Sequence, residues 1–204
     1  NVLGSPDNAA IFTAYLASLL MAGAYIAIGS MMSALTAAQV VAFVLSVLVA
    51  FLLTALGLPL VSDFFAGFVG GGVAEAISRF AILFHFDAAQ RGVIEFRSVF
   101  YFLSLIGLCL AFTALAVDAR RGGQAMSARR FAVLAAFALA VMFIAANLTA
   151  NVWFRSWRVD LTENQLYTLS PGTRSTLRDL TEPVQLTLYY SRDAAADIPQ
   201  VQAY

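Results

Sequence analysis

The chain has 204 residues, of which 61% are hydrophobic and 12% charged, with a mean hydropathy of +0.81. Soluble domains carry about 25% charged residues, so this composition excludes an ordinary water-soluble globule. The formal net charge is zero, which removes any global field that would draw nucleic acid or an acidic partner.

Residues 8–62 contain neither a charged side chain nor a histidine. A bilayer core takes roughly 20 apolar residues per helix, so this run predicts two crossings and a tight connection. The first crossing is expected over Ile11–Met32. Its small residues Ala10, Ala14, Ala17, Ser18, Ala22 and Gly29 offer a face for close helix approach. The second opens at Gln39 or Val40 and ends near Leu56–Leu58, where Gly57 and Pro59 break the helix.

Residues 63–97 are apolar but interrupted by Gly67, Gly70, Gly71, Gly72, Glu75, Arg79 and His85. A central charge costs about 2.5–3.5 kcal/mol on insertion scales, whereas the Glu75–Arg79 pair at i,i+4 returns only about 0.2–0.5 kcal/mol in water. The expectation is a re-entrant or interfacial element of two short helices, bent at the glycines, that does not cross. Glu75 and Arg79 are candidates for a translocation or exit region, against the plainer reading of a solvated helix face.

Val99–Val117 and Phe131–Ala150 predict the third and fourth crossings. Between them, Arg120, Arg121, Arg129 and Arg130 crowd one short connection, residues 118–130, which the positive-inside rule places in the cytoplasm. Residues 61–97 and everything after Asn151 then face the far side. Arg155 and Arg158 run against that orientation. Trp153 and Trp157 fit the aromatic belt at a helix end.

After Ala150 the pattern changes. Ser170 is a fitting N-cap and Pro171 a fitting first position for a short helix over Thr173–Leu180. Glu182-Pro183 ends it, and Val184–Tyr190 alternates apolar and polar residues like a half-buried strand. Some 50 residues with one strand do not bury a core, so the remainder of such a domain is expected elsewhere. The chain begins at Asn1 with neither Met nor a signal-peptide pattern, so an upstream part is expected too.

Catalytic chemistry finds little purchase. There is no Lys for a phosphate-binding loop, and Gly70-Gly71-Gly72 lacks the strand-to-helix context; a bend is the expected role. His85 is the single histidine, which excludes a multi-histidine metal site; Asp87 nearby adds little. An intramembrane hydrolase would have to combine His85 with Ser30 or Ser104, whereas serine in such helices usually bonds backbone. Cys109 is alone and forms no internal disulfide.

The run Arg158-Val-Asp160-Leu161-Thr162-Glu-Asn-Gln-Leu-Tyr167-Thr-Leu-Ser170-Pro171-Gly-Thr, followed by Leu180-Thr-Glu182-Pro183-Val-Gln-Leu-Thr-Leu-Tyr-Tyr-Ser, resembles the start of the auxiliary component of gliding-motility-type ABC transporters. Residues 11–121 resemble the C-terminal half of an ABC-2-type permease, through Gly29–Gln39 at the end of the first span and Arg91–Ser104 leading into the third. The resemblance implies a mainly α polytopic fold with four transmembrane helices, followed by the beginning of an extracytoplasmic α/β domain. It divides the chain into a permease half over 1–121, a cytoplasmic linker over 122–130, an anchor over 131–150 and the start of the outer domain over 151–204. The first three permease helices and most of the outer domain lie outside this sequence. The implied function is the transmembrane subunit of a transporter in the bacterial inner membrane, itself no enzyme. It would bind no cofactor and no nucleic acid. ATP and Mg would reside on a separate cytoplasmic ATPase subunit, the other expected partners being lipid and a second copy or another permease subunit. The alternative is a membrane anchor or scaffold for an envelope or motility assembly.

Overall fold

The structure is a computed structural model, and it describes residues 7–121, 126–154, 157–162 and 165–179. Asp7 opens α1 (Asn8–Leu35) as a side-chain cap, its carboxylate accepting from the amides of Ala9 and Ala10 at 3.0 and 3.3 Å. Uninterrupted apolar sequence then carries the helix beyond the expected Ile11–Met32. Helix α2 (Gln39–Ala55) runs back beside it, joined to it by a 2.8 Å hydrogen bond between the Tyr25 and Thr54 hydroxyls.

At Leu56–Leu58 the chain turns by 86° into α3 (Pro59–Val69). Pro59 cannot continue α2 but is well suited to open α3. Gly57 sits at this corner for a steric reason: a Cβ there would lie 2.8 Å from the Cβ of Leu83 and 3.1 Å from that of Ala81. Gly70, at φ +84°, ends α3 in the left-handed region that favours glycine, and α4 (Gly71–Ser78) follows. The glycine bend was legible. The expected pair of short helices is corrected to three, because α5 (Ile82–Gln90) forms as a separate helix after the turn at Arg79–Ala81.

A feature unforeseen from the sequence comes next. Val93–Glu95 forms β1, directly ahead of α6 (Phe96–Arg121), and pairs antiparallel with β2 (Arg158–Asp160), beyond α7 (Met126–Trp153). The register sets Val93 opposite Asp160, Ile94 opposite Val159 and Glu95 opposite Arg158. Hydrogen bonds from Phe96 N to Trp157 O and from Leu161 N to Gly92 O, each 3.1 Å, extend the ladder at both ends. Three-residue strands are too short for a period-2 pattern to register in sequence.

The core lies between α1 and α6, with Ala24, Ala27 and Ile28 against Tyr101, Phe102, Leu105 and Cys109, and Ile82 of α5 closing it. Small residues do bring α1 close to its neighbours, along a stripe that shares Ala17 with the expected face but leaves Ser18 and Ala22 out. Thr13, Ala17, Ala24, Ala27 and Ile28 are buried, Ser18 and Ala22 are exposed, and Gly29 has no side-chain neighbour. The reason is the stripe's direction: residues spaced three and four apart from Thr13 point at α6 and α5.

Helix α7 docks on α6 through Asn147, which is buried and donates 3.0 Å bonds to Ser104 Oγ and to the Phe143 carbonyl. Large side chains such as Phe12, Leu19, Phe43, Phe51, Phe131 and Phe137 point outward from the bundle. The chain is mainly helical, and among the described residues three helices, α1, α6 and α7, are long and apolar enough to cross a membrane. The bent α2–α3 pair makes up to four. That is the make-up of a multi-pass membrane protein.

The basic connection is shorter than 118–130. Arg120 and Arg121 belong to the last turn of α6, where cations favour the helix C-terminus, and residues 126–130 already form the start of α7. The chain divides into two compact units, Asn1–Thr168 and Leu169–Tyr204. In the second, α8 (Pro171–Arg178) has the expected start: Ser170 Oγ accepts from the Thr173 amide at 3.1 Å and Pro171 stands at its first position. The expected strand over Val184–Tyr190, and Glu182-Pro183 before it, lie outside the described residues.

Candidate functional site: a charged cleft beside a buried histidine

The elements around the turn between α5 and α6 bring a buried histidine and two ion pairs close together in the chain. His85, 2% exposed, projects from α5 into the bundle. Its Nε2 lies 2.9 Å from the Arg79 carbonyl oxygen, an atom that only accepts, so Nε2 carries the proton. Nδ1 is left to accept from the Ser98 hydroxyl at 3.2 Å. The imidazole stacks on the Tyr101 ring, centroids 4.0 Å apart and planes 17° from parallel, and the Tyr101 hydroxyl donates to the Phe80 carbonyl at 2.6 Å. One neutral histidine thus ties the end of α4 to α5 and α6. Burial lowers its pKa to about 4; the bond to Arg79 works the other way, and the charge on Arg97 adds to the lowering.

Both ring nitrogens are engaged and the ring faces are covered, so the His85–Ser98 contact is a structural clasp. Ser104, the serine considered with His85, bonds the Tyr101 carbonyl and Asn147 instead. Ser30 bonds the Ile26 carbonyl. Among the described residues no group of three or more His, Cys, Asp or Glu side chains could hold a metal ion.

On the other side of α5 opens a cleft of about 390 Å³. Its apolar wall comes from Gly57, Pro59, Leu83 and Phe84, and its charged wall from Asp87, Arg91, Glu95 and Arg97. Arg91 pairs with Asp87 one helical turn earlier, both side chains more than half exposed. Arg97 Nε pairs with Glu95, both largely covered, and the Arg97 guanidinium carbon lies 5.5 Å from the Phe84 ring centroid. The cleft therefore has one loose ion pair at its mouth and one braced pair within.

The tail closes over the same turn. Asp160, at the end of β2, organises the residues after it: one carboxylate oxygen accepts from the Thr162 amide and hydroxyl at 3.1 and 2.6 Å. The other accepts from the Tyr167 amide and the Thr168 hydroxyl, both at 2.9 Å. Thr162 Oγ1 in turn accepts from the Leu166 amide at 2.9 Å. These donors, that of the Thr162 side chain foremost, hold the Asp160 carboxyl down to about 2.

The residues predicted from sequence fall into separate groups. Glu75 lies on α4, its side chain outside the described set, and Arg79 contributes its carbonyl to His85 but does not line the cleft. Arg120 and Arg121 end α6, while Arg129 and Arg130 lie in the first turns of α7. Trp153 ends α7 and is exposed, and Trp157 packs edge-on against Phe96 and Phe154. Arg158, Asp160, Leu161, Thr162 and Tyr167 form the strand and turn just described, whereas Ser170 and Pro171 start α8. Asp87, Arg91, Glu95 and Arg97 were missed as site residues. The available signal was the Asp87/Arg91 spacing of one turn and a Glu-x-Arg alternation just before an apolar run.

A family model described as a domain of unknown function (DUF7088) matches residues 163–204. It takes in the stretch from Tyr167 through Glu182-Pro183 to the end of the sequence. No curated protein and no solved structure matches the chain.

Proposed function

We propose that this chain is part of the membrane subunit of an ABC-2-like transporter, fused to the start of an extracytoplasmic auxiliary domain. A separate cytoplasmic ATPase subunit would drive it. ATP hydrolysis there would tilt the helices against one another and open a path, with a second copy or another permease subunit completing it. The substrate, or a segment of it, would leave toward the outer domain.

The observation that carries this reading is the resemblance of residues 158–173 and 180–191 to the auxiliary component, together with where its first residues lie. Arg158–Asp160 pairs with Val93–Glu95, at the head of the helix that in the permease resemblance is the last one. A tail stitched to that helix can sense or limit its movement; a tail trailing from α7 alone could not.

Two experiments test the reading. A tagged full-length chain should bring down an ATPase subunit from its native membranes, and reconstituted vesicles should show ATP-dependent flux. An ATPase that never co-purifies argues for the second reading, an anchor that holds an envelope assembly without transport. Orientation has its own test. With Cys109 replaced by serine, a cysteine introduced at Ala125 should stay unlabelled by an impermeant thiol reagent in intact cells and react once the membrane is opened. Labelling in intact cells would put the outer-domain assignment on the wrong side.

A further inference from the structure

We infer that the cleft between the α2–α3 corner and α5 binds the zwitterionic headgroup of a phospholipid, a phosphate together with an ammonium. The inference stands on the cleft itself and does not depend on the chain being a transporter. Its volume, about 390 Å³, is within the range of roughly 300–1,000 Å³ typical of small-ligand sites.

The charged wall is donor-rich and acceptor-rich at once. Arg97 uses Nε for Glu95 and lies over Phe84, so its planar fork is held in place. Among the described residues its two terminal nitrogens have no other hydrogen bond or ion pair. Arg91 gives one terminal nitrogen to Asp87 and keeps its remaining N–H groups. Both side chains line the cleft, and their spare donors suit an anion with several oxygens, which a phosphate is.

Charge balance selects the rest of the headgroup. Two guanidinium and two carboxylate groups sum to zero. A purely anionic ligand would leave a net negative charge beside the apolar wall. A ligand that also carries an ammonium meets the free oxygens of Asp87 and Glu95 and keeps the balance. The Asp87–Arg91 pair opens at little cost, since ion pairs between exposed side chains contribute little to stability. Pro59, Leu83 and Phe84 then offer a surface for the start of the acyl chains, which a free headgroup lacks.

The test uses the detergent-solubilised chain and three probes: a short-chain phosphatidylethanolamine, the matching phosphatidylglycerol, and free phosphoethanolamine. The expected result is at least tenfold tighter binding of phosphatidylethanolamine than of either other probe, read by native mass spectrometry. Arg97→Gln should weaken it at least tenfold, and Glu95→Gln should abolish the preference over phosphatidylglycerol. Arg120→Gln, on a residue outside the cleft, should leave both unchanged. Equal affinity for the two lipids in the unmodified chain overturns the zwitterion assignment, whether or not the variants fold. Equal affinity for free phosphoethanolamine overturns the assignment to lipid. Undiminished binding by a folded Arg97→Gln chain overturns the site.

Discussion

The methyl group of Thr162 occupies the space a side chain at Gly92 would need: a Cβ on Gly92 would stand 2.7 Å from Thr162 Cγ2. Gly92 also holds φ +83°, and its carbonyl accepts from the Leu161 amide. Two residues seventy positions apart in sequence thus fix the tail against the turn that leads into α6.

Gly92→Ala should therefore be among the most damaging single changes outside the core. The left-handed backbone and the overpacking cost roughly 1–3 kcal/mol each. Thermal unfolding in detergent should show a loss of that order. Thr162→Ser keeps the hydroxyl and removes the methyl, so the double variant should recover the steric part and leave only the backbone part. A double variant no better than Gly92→Ala would mean that the methyl is not what crowds this position.

Asp160 holds its turn through four donors from three residues. Asp160→Ala should free the segment after Thr162, measured as faster protease cleavage near Tyr167, while β2 pairing weakens. Asp160→Asn retains one acceptor oxygen and should fall between the two. The folded pKa lies below the ordinary value of 3.8, so the carboxylate's contribution is present above about pH 4 and is lost as pH falls toward 2. Cleavage that already accelerates at pH 5 would contradict this.

Much of the membrane part was readable in advance, because its signals are local. Apolar runs longer than a bilayer is thick, Pro59 and Gly57 at a break, and Ser170-Pro171 at a helix start each act within a few residues. The ladder between residues 93–95 and 158–160 depends on how helices α6 and α7 return, which no local pattern encodes. The cleft escaped notice for the same reason. Asp87, Arg91, Glu95 and Arg97 read singly as solvated charges, and only the 86° corner at Leu56–Leu58 gives them an apolar wall to face. Glu75 and Arg79 drew attention because they interrupt a hydrophobic stretch, a sign that polar chemistry is near but not which residue supplies it.

Asn147 and Ser104 make a polar contact between α6 and α7. Interhelical hydrogen bonds of this kind average about 0.6 kcal/mol and reach about 1.7. Asn147 also donates to the Phe143 carbonyl of its own helix, so half of its bonding survives loss of Ser104. Ser104→Ala should thus cost less than Asn147→Ala, and a double-mutant cycle should yield a coupling within that range. A coupling of zero would mean that apolar packing alone sets the register of α7.

His85 gives the fold a pH dependence whose sign can be worked out. An unfolded histidine protonates near 6.5, whereas the folded one resists until about 4 because burial among Tyr101, Phe84 and Phe102 penalises the charge and Arg97 opposes it further. Between those values the unfolded chain binds the extra proton, so stability is complete above about pH 6.5 and declines as pH falls toward 4. The burial penalty on the charged ring is on the order of a few kcal/mol, at about 1.36 kcal/mol per pH unit. Thermal unfolding between pH 7.5 and 4.5 should show this decline in the unmodified chain. In His85→Gln, where an amide still donates to the Arg79 carbonyl and accepts from Ser98, the slope across that window should largely vanish even though the variant starts from lower stability. A slope unchanged by the substitution would place the titrating group elsewhere and leave His85 as packing alone.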